Sequence, residues 1–266
     1  MKNLFLISVV LLISLTTFAQ NFTKTNRDVT EFNSIKLDCS ADVYISQGNE
    51  ISVIVETEEK NQNKVKTFVA NNKLIIEISA RIFTSKRLNV YVTVKDLSIV
   101  NNEGSGDFEF KTPLKTANFI YKSEGSGDFE IDKIITNKFI SIQEGSGDCE
   151  ISGDIKVIDA KVEGSGNFEA ENVNLTNCNI VMEGSGDVEL KGISNIIKVV
   201  QTGSGDLKAE NFSVLNATIL KSGSGDASLN IKNELNLTSS GSGDFNLKGN
   251  PPKRQISVTG SGSFNE

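Results

Sequence analysis

Carboxylates repeated at a steady spacing are the residues of this chain with the most chemical potential. One series is Asp107, Asp128, Asp148, Asp187, Asp206, Asp226 and Asp244, with Asn167 in the place it skips. A second is Glu109, Glu130, Glu150, Glu169 and Glu189, and a third is Glu103, Glu124, Glu144, Glu163 and Glu183. Carboxylates in such numbers suit two chemistries. They hold hard cations, Ca²⁺ above all, which takes about six to eight oxygens; in pairs they cleave glycosidic bonds as acid and base. Catalytic acids should break a repeat, standing once in a cleft with perturbed surroundings. These acids follow the repeat instead, so no catalytic residue is assigned. The absence of His removes Ser-His-Asp and Cys-His catalysis, His-ligated zinc and the usual base near neutral pH. With 34 acidic residues against 27 basic and a net charge of −7, the balance has the wrong sign for nucleic acid.

What positions these acids is a repeat. The triplet Gly-Ser-Gly begins at 104, 125, 145, 164, 184, 203, 223, 241 and 260, with gaps of 18 to 21 residues, and it takes up 18 of the 22 glycines. The expected corner residues are Gly104 and Gly106, Gly125 and Gly127, Gly145 and Gly147, Gly164 and Gly166, Gly184 and Gly186, Gly203 and Gly205, Gly223 and Gly225, and Gly241 and Gly243. Two reasons can place Gly there: a positive φ, or a backbone approach so close that a Cβ would clash.

Apolar residues alternate on both sides of each corner with the period of two of a half-buried strand. After it come pairs such as Phe129/Ile131, Cys149/Ile151 and Val188/Leu190; before it come Ile158/Ala160, Cys178/Ile180 and Ile197/Val199. A looser third cluster lies midway: Leu114, Ile134, Ile155/Val157, Val173/Leu175, Ile193, Phe212/Val214 and Ile231. One such unit cannot bury its apolar face, but copies stacked at the strand spacing of about 4.8 Å can. The expected fold is therefore an all-β parallel solenoid of rungs near twenty residues, with an irregular N-terminal β cap. Residues 20–29 read as a lead-in, 30–100 as irregular rungs and 101–266 as the regular repeats, all in one domain. The segment Cys39-Ser40-Ala41-Asp42-Val43-Tyr44-Ile45 reads as a decayed corner, with Ile35 and Leu37 as the first inward pair. Cys149 and Cys178 occupy inward positions and read as apolar filler. The charged stretch Glu56 to Lys66 is equally consistent with a helical turn and a loop.

Residues 1–19 have the form of a secretory signal peptide: Lys2, an apolar run from Leu4 to Leu15, and Thr17-Phe18-Ala19 before the cut. The mature chain then holds no transmembrane span, and the protein is exported to the periplasm, the outer surface or the medium.

These features together resemble a known family, the putative auto-transporter adhesin, head GIN domain proteins. The resemblance covers about residues 28–266 and rests on Phe32-Asn33-Ser34-Ile35-Lys36-Leu37, Asp42-Val43-Tyr44-Ile45-Ser46-Gln47-Gly48, Leu88-Asn89-Val90-Tyr91-Val92-Thr93-Val94 and the repeated Gly-Ser-Gly-Asp. It implies a right-handed parallel β-helix and no established enzymatic activity. The expected function is an exported, adhesin-like binding module that offers stacked polar and acidic faces to a carbohydrate or protein partner. The runner-up is a periplasmic or envelope structural protein, and the lesser alternative a polysaccharide-active β-helix enzyme. No cofactor is expected. The metal chemistry open to the ladder of Asp107, Asp128, Asp148, Asp187, Asp206, Asp226 and Asp244 is weak, surface-type binding of Ca²⁺.

Overall fold

The structure, a computed structural model, describes residues 21–79 and 87–266. The signal-peptide reading of residues 1–19 lies outside the described residues. The rest is a β-solenoid of about eight turns with stacked parallel strands, and its helical content among the described residues is one 3₁₀ turn at Glu59–Asn61. That turn resolves the charged stretch: the strand Ser52–Glu58 runs into it, and Val65–Ala70 leaves from it.

Six long strands form the body: Phe129–Gln143, Cys149–Val162, Phe168–Met182, Val188–Gln201, Leu207–Lys221 and Ala227–Ser239. Each pairs in parallel with the next, and the register brings equivalent residues together: Phe129 on Cys149, Cys149 on Phe168, Phe168 on Val188. The inward residues so stacked are buried, Cys149 and Cys178 completely. Both of those thiols are free, and burial pushes their pKa up. Aromatic rings pack within the same core: Tyr121 stacks on Phe129 at 4.3 Å and Phe119 on Phe139 at 5.6 Å.

The two strands and the midway segment of each repeat are not separate elements. They run on as one strand with a register shift between them, as at Ile131/Ile134 and Ala170/Val173. Gly153, Gly192 and Gly249 make the shift in rungs of 19 residues, each eight residues after the start of its triplet. Their φ values of 141°, 139° and 102° lie where a side chain is strained. The 20-residue rung that starts at Gly164 spends one more residue on the same bend, and there Asn172 takes a φ of 54°. This corrects one expected core residue. Ile193 follows Gly192 and points outward, half exposed, while Ser194 takes the buried place between Leu175 and Val214. The shortened bend moves the inward position one residue along.

At the corners the question of why Gly stands there is answered by close approach. None of the triplet glycines has a positive φ. A Cβ on Gly125 would sit 1.7 Å from the Gly104 carbonyl oxygen, and one on Gly127 2.0 Å from that of Gly106. The approach is what lets the Ser146 amide donate to the Gly125 carbonyl at 3.0 Å, and Ser126 to Gly104 likewise. The decayed corner stacks in the same register, since Gly104 and Gly106 lie over the backbones of Cys39 and Ala41. Beyond it, Phe22–Arg27 lies antiparallel on Ser52–Glu58, which in turn lies antiparallel on Asn89–Val94, and Val65–Ala70 folds back on Lys73–Ile78. The segment read as a lead-in is thus largely an edge strand of the cap.

Inside each corner runs a column with a polar share that the repeat did not announce. Asn102, Gln143, Gln201 and Lys221 are all buried. Asn102 Nδ2 donates to the carbonyls of Gly106 (3.0 Å) and Gly127 (3.2 Å), and Gln201 Nε2 to those of Gly205 (2.8 Å) and Asp226 (3.0 Å). Lys221 Nζ donates to the Gly243 carbonyl at 2.8 Å. Burial lowers its pKa, opposed by the charges of Asp226, Asp244 and Asp206 just outside the corner.

Two predictions follow from the corners. Gly145→Ala sets a Cβ 1.8 Å from the Gly125 oxygen. Because that atom is backbone, the substitution should cost roughly 3 kcal/mol in urea unfolding, the upper end for overpacking, whereas exposed Ser146→Ala stays within about 0.5 kcal/mol. Lys221→Gln gives the corner a neutral donor and should raise stability at pH 7 by about 1 kcal/mol. The unfolded chain binds the Lys221 proton more tightly than the folded one. Wild-type stability should therefore climb with pH between the lowered pKa and the ordinary lysine value, and the variant should lose that climb.

Candidate functional site

The register that builds the core also lines up the outward residues. On the sheet that follows the corner, one column runs Tyr91, Tyr44, Glu109, Glu130, Glu150, Glu169, Glu189, Lys208, Ser228 and Asn246. The second Glu series of the sequence is therefore a physical row, and Asp107 to Asp244 form another beside it. Net negative charge is confined to this stretch: residues 101–191 hold 18 acidic and 8 basic residues, and residues 192–266 hold 6 and 7.

The Asp row is a hydrogen-bonded ladder. The backbone amide of each member donates to the side-chain Oδ1 of the member one rung before. Asp128 donates to Asp107, Asp148 to Asp128 and Asp206 to Asp187, each at 2.8 Å, and Asp226 and Asp244 continue it. Asn167 fits without a break, since its amide nitrogen donates to Asp148 (2.7 Å) and its own Oδ1 accepts from Asp187 (2.8 Å). The ladder starts at Asp42, which accepts from the Asp107 amide at 3.3 Å, and ends at Ser263, which donates to Asp244 at 2.7 Å. One oxygen of each carboxylate is thereby committed to the backbone. Among the described residues no group of three or more His, Cys, Asp or Glu is set to hold a metal ion.

The Glu row is neutralised only at its ends. Lys191 Nζ reaches Glu169 at 2.9 Å, Glu189 at 2.7 Å and Glu171 besides. Lys111 pairs with Glu109, and Lys208 with Asp187 at 2.5 Å. Glu130 and Glu150, in the middle, have no ion pair among the described residues. Burial raises the Glu150 pKa, and the charges of Glu169, Glu130, Asp148 and Asp128 push it the same way. Two grooves run along this face. One of about 310 Å³ is lined by Glu130, Asp132, Glu150, Ser152 and Glu169; the other, about 140 Å³, by Asp148, Glu150, Asn167, Asp187 and Lys208. On the corner itself, the third acid series stands against lysines: Lys36 on Glu103 at 2.6 Å, and Lys161 on Glu163 at 2.8 Å and Glu183 at 3.2 Å.

The aromatic start of the Glu row escaped the reading of the sequence. Tyr44 and Tyr91 stack at 5.3 Å, with Lys24 4.3 Å over Tyr91 and Lys111 4.6 Å over Tyr44. The signal was present: aligning the decayed corner with its neighbours puts Tyr44 in the Glu place. With cations on the rings, the stack closes the row.

The ladder makes a distinction that charge alone does not. Asp148→Asn keeps an Oδ1 acceptor and removes a charge, so unfolding free energy should be unchanged or slightly higher. Asp148→Ala takes the acceptor from the Asn167 amide and should cost about 1 kcal/mol, one net hydrogen bond, when both are compared by urea denaturation.

Sequence comparison matches the family model described as "Putative auto-transporter adhesin, head GIN domain" to residues 31–191 and 172–251. No curated protein matches the chain in sequence. Among solved structures, the fold is similar to a putative adhesin from Parabacteroides distasonis ATCC 8503, with 20% identity, 92% of this chain and 98% of that one covered, and a TM-score of 0.67. It is similar also to a putative lipid binding protein from the same organism (21% identity, 93% and 98% covered, TM-score 0.66) and a putative adhesin from Bacteroides fragilis NCTC 9343 (20%, 93% and 97%, TM-score 0.53). At these identities the structures share the fold alone. The family match spans most of the chain, and this protein belongs to the putative auto-transporter adhesin, head GIN domain family.

Proposed function

We propose that this chain is an exported, non-catalytic binding module of the cell envelope, which presents its acidic sheet face to a carbohydrate or protein partner. One observation carries the reading: Glu130, Glu150 and Glu169 stand in register on consecutive rungs, and among the described residues Glu130 and Glu150 have no ion pair, while Glu169 is held by Lys191. A glycosidase needs two carboxyls whose environments drive their pKa values apart. Here the acids follow the repeat, and what raises the Glu150 pKa is burial together with the like charges of Glu169, Glu130 and Asp148. The row suits donors repeated at the rung spacing of about 4.8 Å, whether the hydroxyls of a glycan or the ammonium and guanidinium groups of a protein. Its attraction for a cationic partner fades with salt. Membership of a family described as adhesins supports export and surface display.

Protease shaving of intact cells tests the location: cleavage from whole cells places the protein outside, while cleavage only after the envelope is broken favours the structural alternative. For binding, the triple variant Glu130→Gln, Glu150→Gln, Glu169→Gln should lose at least about tenfold in affinity for the envelope glycans or proteins that the wild type retains, as expected for about 1.4 kcal/mol. It should melt no lower than wild type at pH 7, because neighbouring carboxylates 4.8 Å apart repel by about 0.9 kcal/mol even at the dielectric of water. Turnover of acidic polysaccharides, with or without Ca²⁺, would overturn the non-catalytic reading.

A further inference from the structure

The strands at the two ends of the described stack pair differently. Antiparallel strands cover the N-terminal end. At the other end, Lys253–Val258 pairs on one side only, in parallel with Ala227–Ser239, and all six of its residues are exposed. Ile256 continues the inward column of Ile219 and Leu237, yet it is 37% exposed, as is Val258. Phe264 stacks on Phe245 at 5.9 Å, and Phe264–Asn265 likewise pairs with one neighbour alone.

Natural sheet edges are guarded by charges, proline or bulges. The one inward charge here is occupied elsewhere. Arg254 lies in the column above Leu235, but its Nε donates to the Pro251 carbonyl at 2.9 Å, its Nη2 to Asn250 Oδ1 at 2.6 Å, and it pairs with Glu266. That knot covers part of the core's end and leaves the strand edge clear. From Gln255 to Val258 there is no charge and no proline.

We propose that Lys253–Val258 pairs antiparallel with the same strand of a second copy of this chain, joining two solenoids end to end. The register is restricted. Opposed residues must share a face, so the twofold axis passes through a residue, and Ile256 at the middle of the uncharged run is the natural choice. Ile256 then faces its copy, Arg254 faces Val258, Gln255 faces Ser257 and Lys253 faces Thr259. No like charges meet, and Ile256 and Val258 gain cover. The contact is isologous and closes on itself. Charge favours this end over the sides. Residues 192–266 are nearly neutral, whereas the side faces of residues 101–191 carry an excess of ten acids and repel a copy. The pairing is independent of the ligand of the acidic face, and it would give one particle two such faces.

Sedimentation velocity of the exported protein over a wide concentration range should show a concentration-dependent species of twice the single-chain mass. Ile256→Lys puts two ammonium groups face to face on the axis and should return the protein to a monomer, with the β-sheet circular dichroism signal kept. Ile256→Cys, a milder change, should form a disulfide-linked dimer on oxidation. A wild type that stays monomeric overturns the proposal and leaves the edge to a strand of another protein. A dimer that survives Ile256→Lys, or that does not cross-link through position 256, overturns it in favour of a different face.

Discussion

Everything in this structure depends on how closely one corner backbone can lie on the next. Parallel strands pair at about 4.8 Å, and a solenoid must hold that separation through its turns as well as its sheets. In the turns there is no room for Cβ: at Gly125 it would stand 1.7 Å from the carbonyl beneath. Glycine at both ends of each triplet is therefore a steric requirement, and it acts without unusual dihedral angles. The need arises only where a stacked neighbour lies underneath. Cys39 and Ala41, at the first corner of the stack, carry side chains, and the requirement begins one rung on, where a Cβ on Gly104 or Gly106 would strike their backbones. Once the corner is fixed, the strands that flank it have no freedom of register, and every inward and outward residue falls into a column.

Columns then force a solution to a problem of charge. A repeat that places Asp at a corner places seven of them in a row with one Asn, and carboxylates so close repel. The corner amides supply the compensation. Each amide projects toward the carboxylate of the rung before, and a charge-assisted bond replaces the missing backbone acceptor. This accounts for which residues the position accepts. Asn167 qualifies because its Oδ1 still accepts from Asp187. Ser263 joins the ladder through its backbone amide, which donates to Asp244. The Glu row lacks that ladder: its members pair with lysine at the ends, and among the described residues Glu130 and Glu150 have no ion pair. The same repeat thus separates acids that bond the corner backbone from acids that line the outward sheet face.

How much of this could be read beforehand varied with how strictly the repeat governs each residue. Triplets, inward pairs and acid rows obey a period, and stacking turned the period directly into neighbours. Ile193 was misread because apolarity was weighed without the chain's path. Gly153, Gly192 and Gly249 stand at one offset in rungs one residue short, a signal in the sequence that moves the inward place onto Ser194. The buried Asn102, Gln143, Gln201 and Lys221 share their column with Val162 and Met182, so composition there has no constant sign. Their role emerges only when corner carbonyls are seen to point inward. The N-terminal cap has no period at all. Its antiparallel pairings depend on tertiary contacts, and alternation alone identifies its strands without saying which partners they take.

Function follows from the division between these classes of column. A pair of catalytic carboxyls driven to different pKa values needs asymmetric surroundings, whereas a repeat sets each group in a column of its own kind. What such a scaffold supplies instead is length and regularity: the same group offered again and again at a fixed interval, on a face that the core keeps rigid. Each contact on an exposed face is weak, since charges there are screened by water and salt. Several in register act on one extended partner, because once the first contact forms the next is intramolecular. On the proposed reading the Glu row would meet its partner in this way, with affinity from repetition and specificity from spacing.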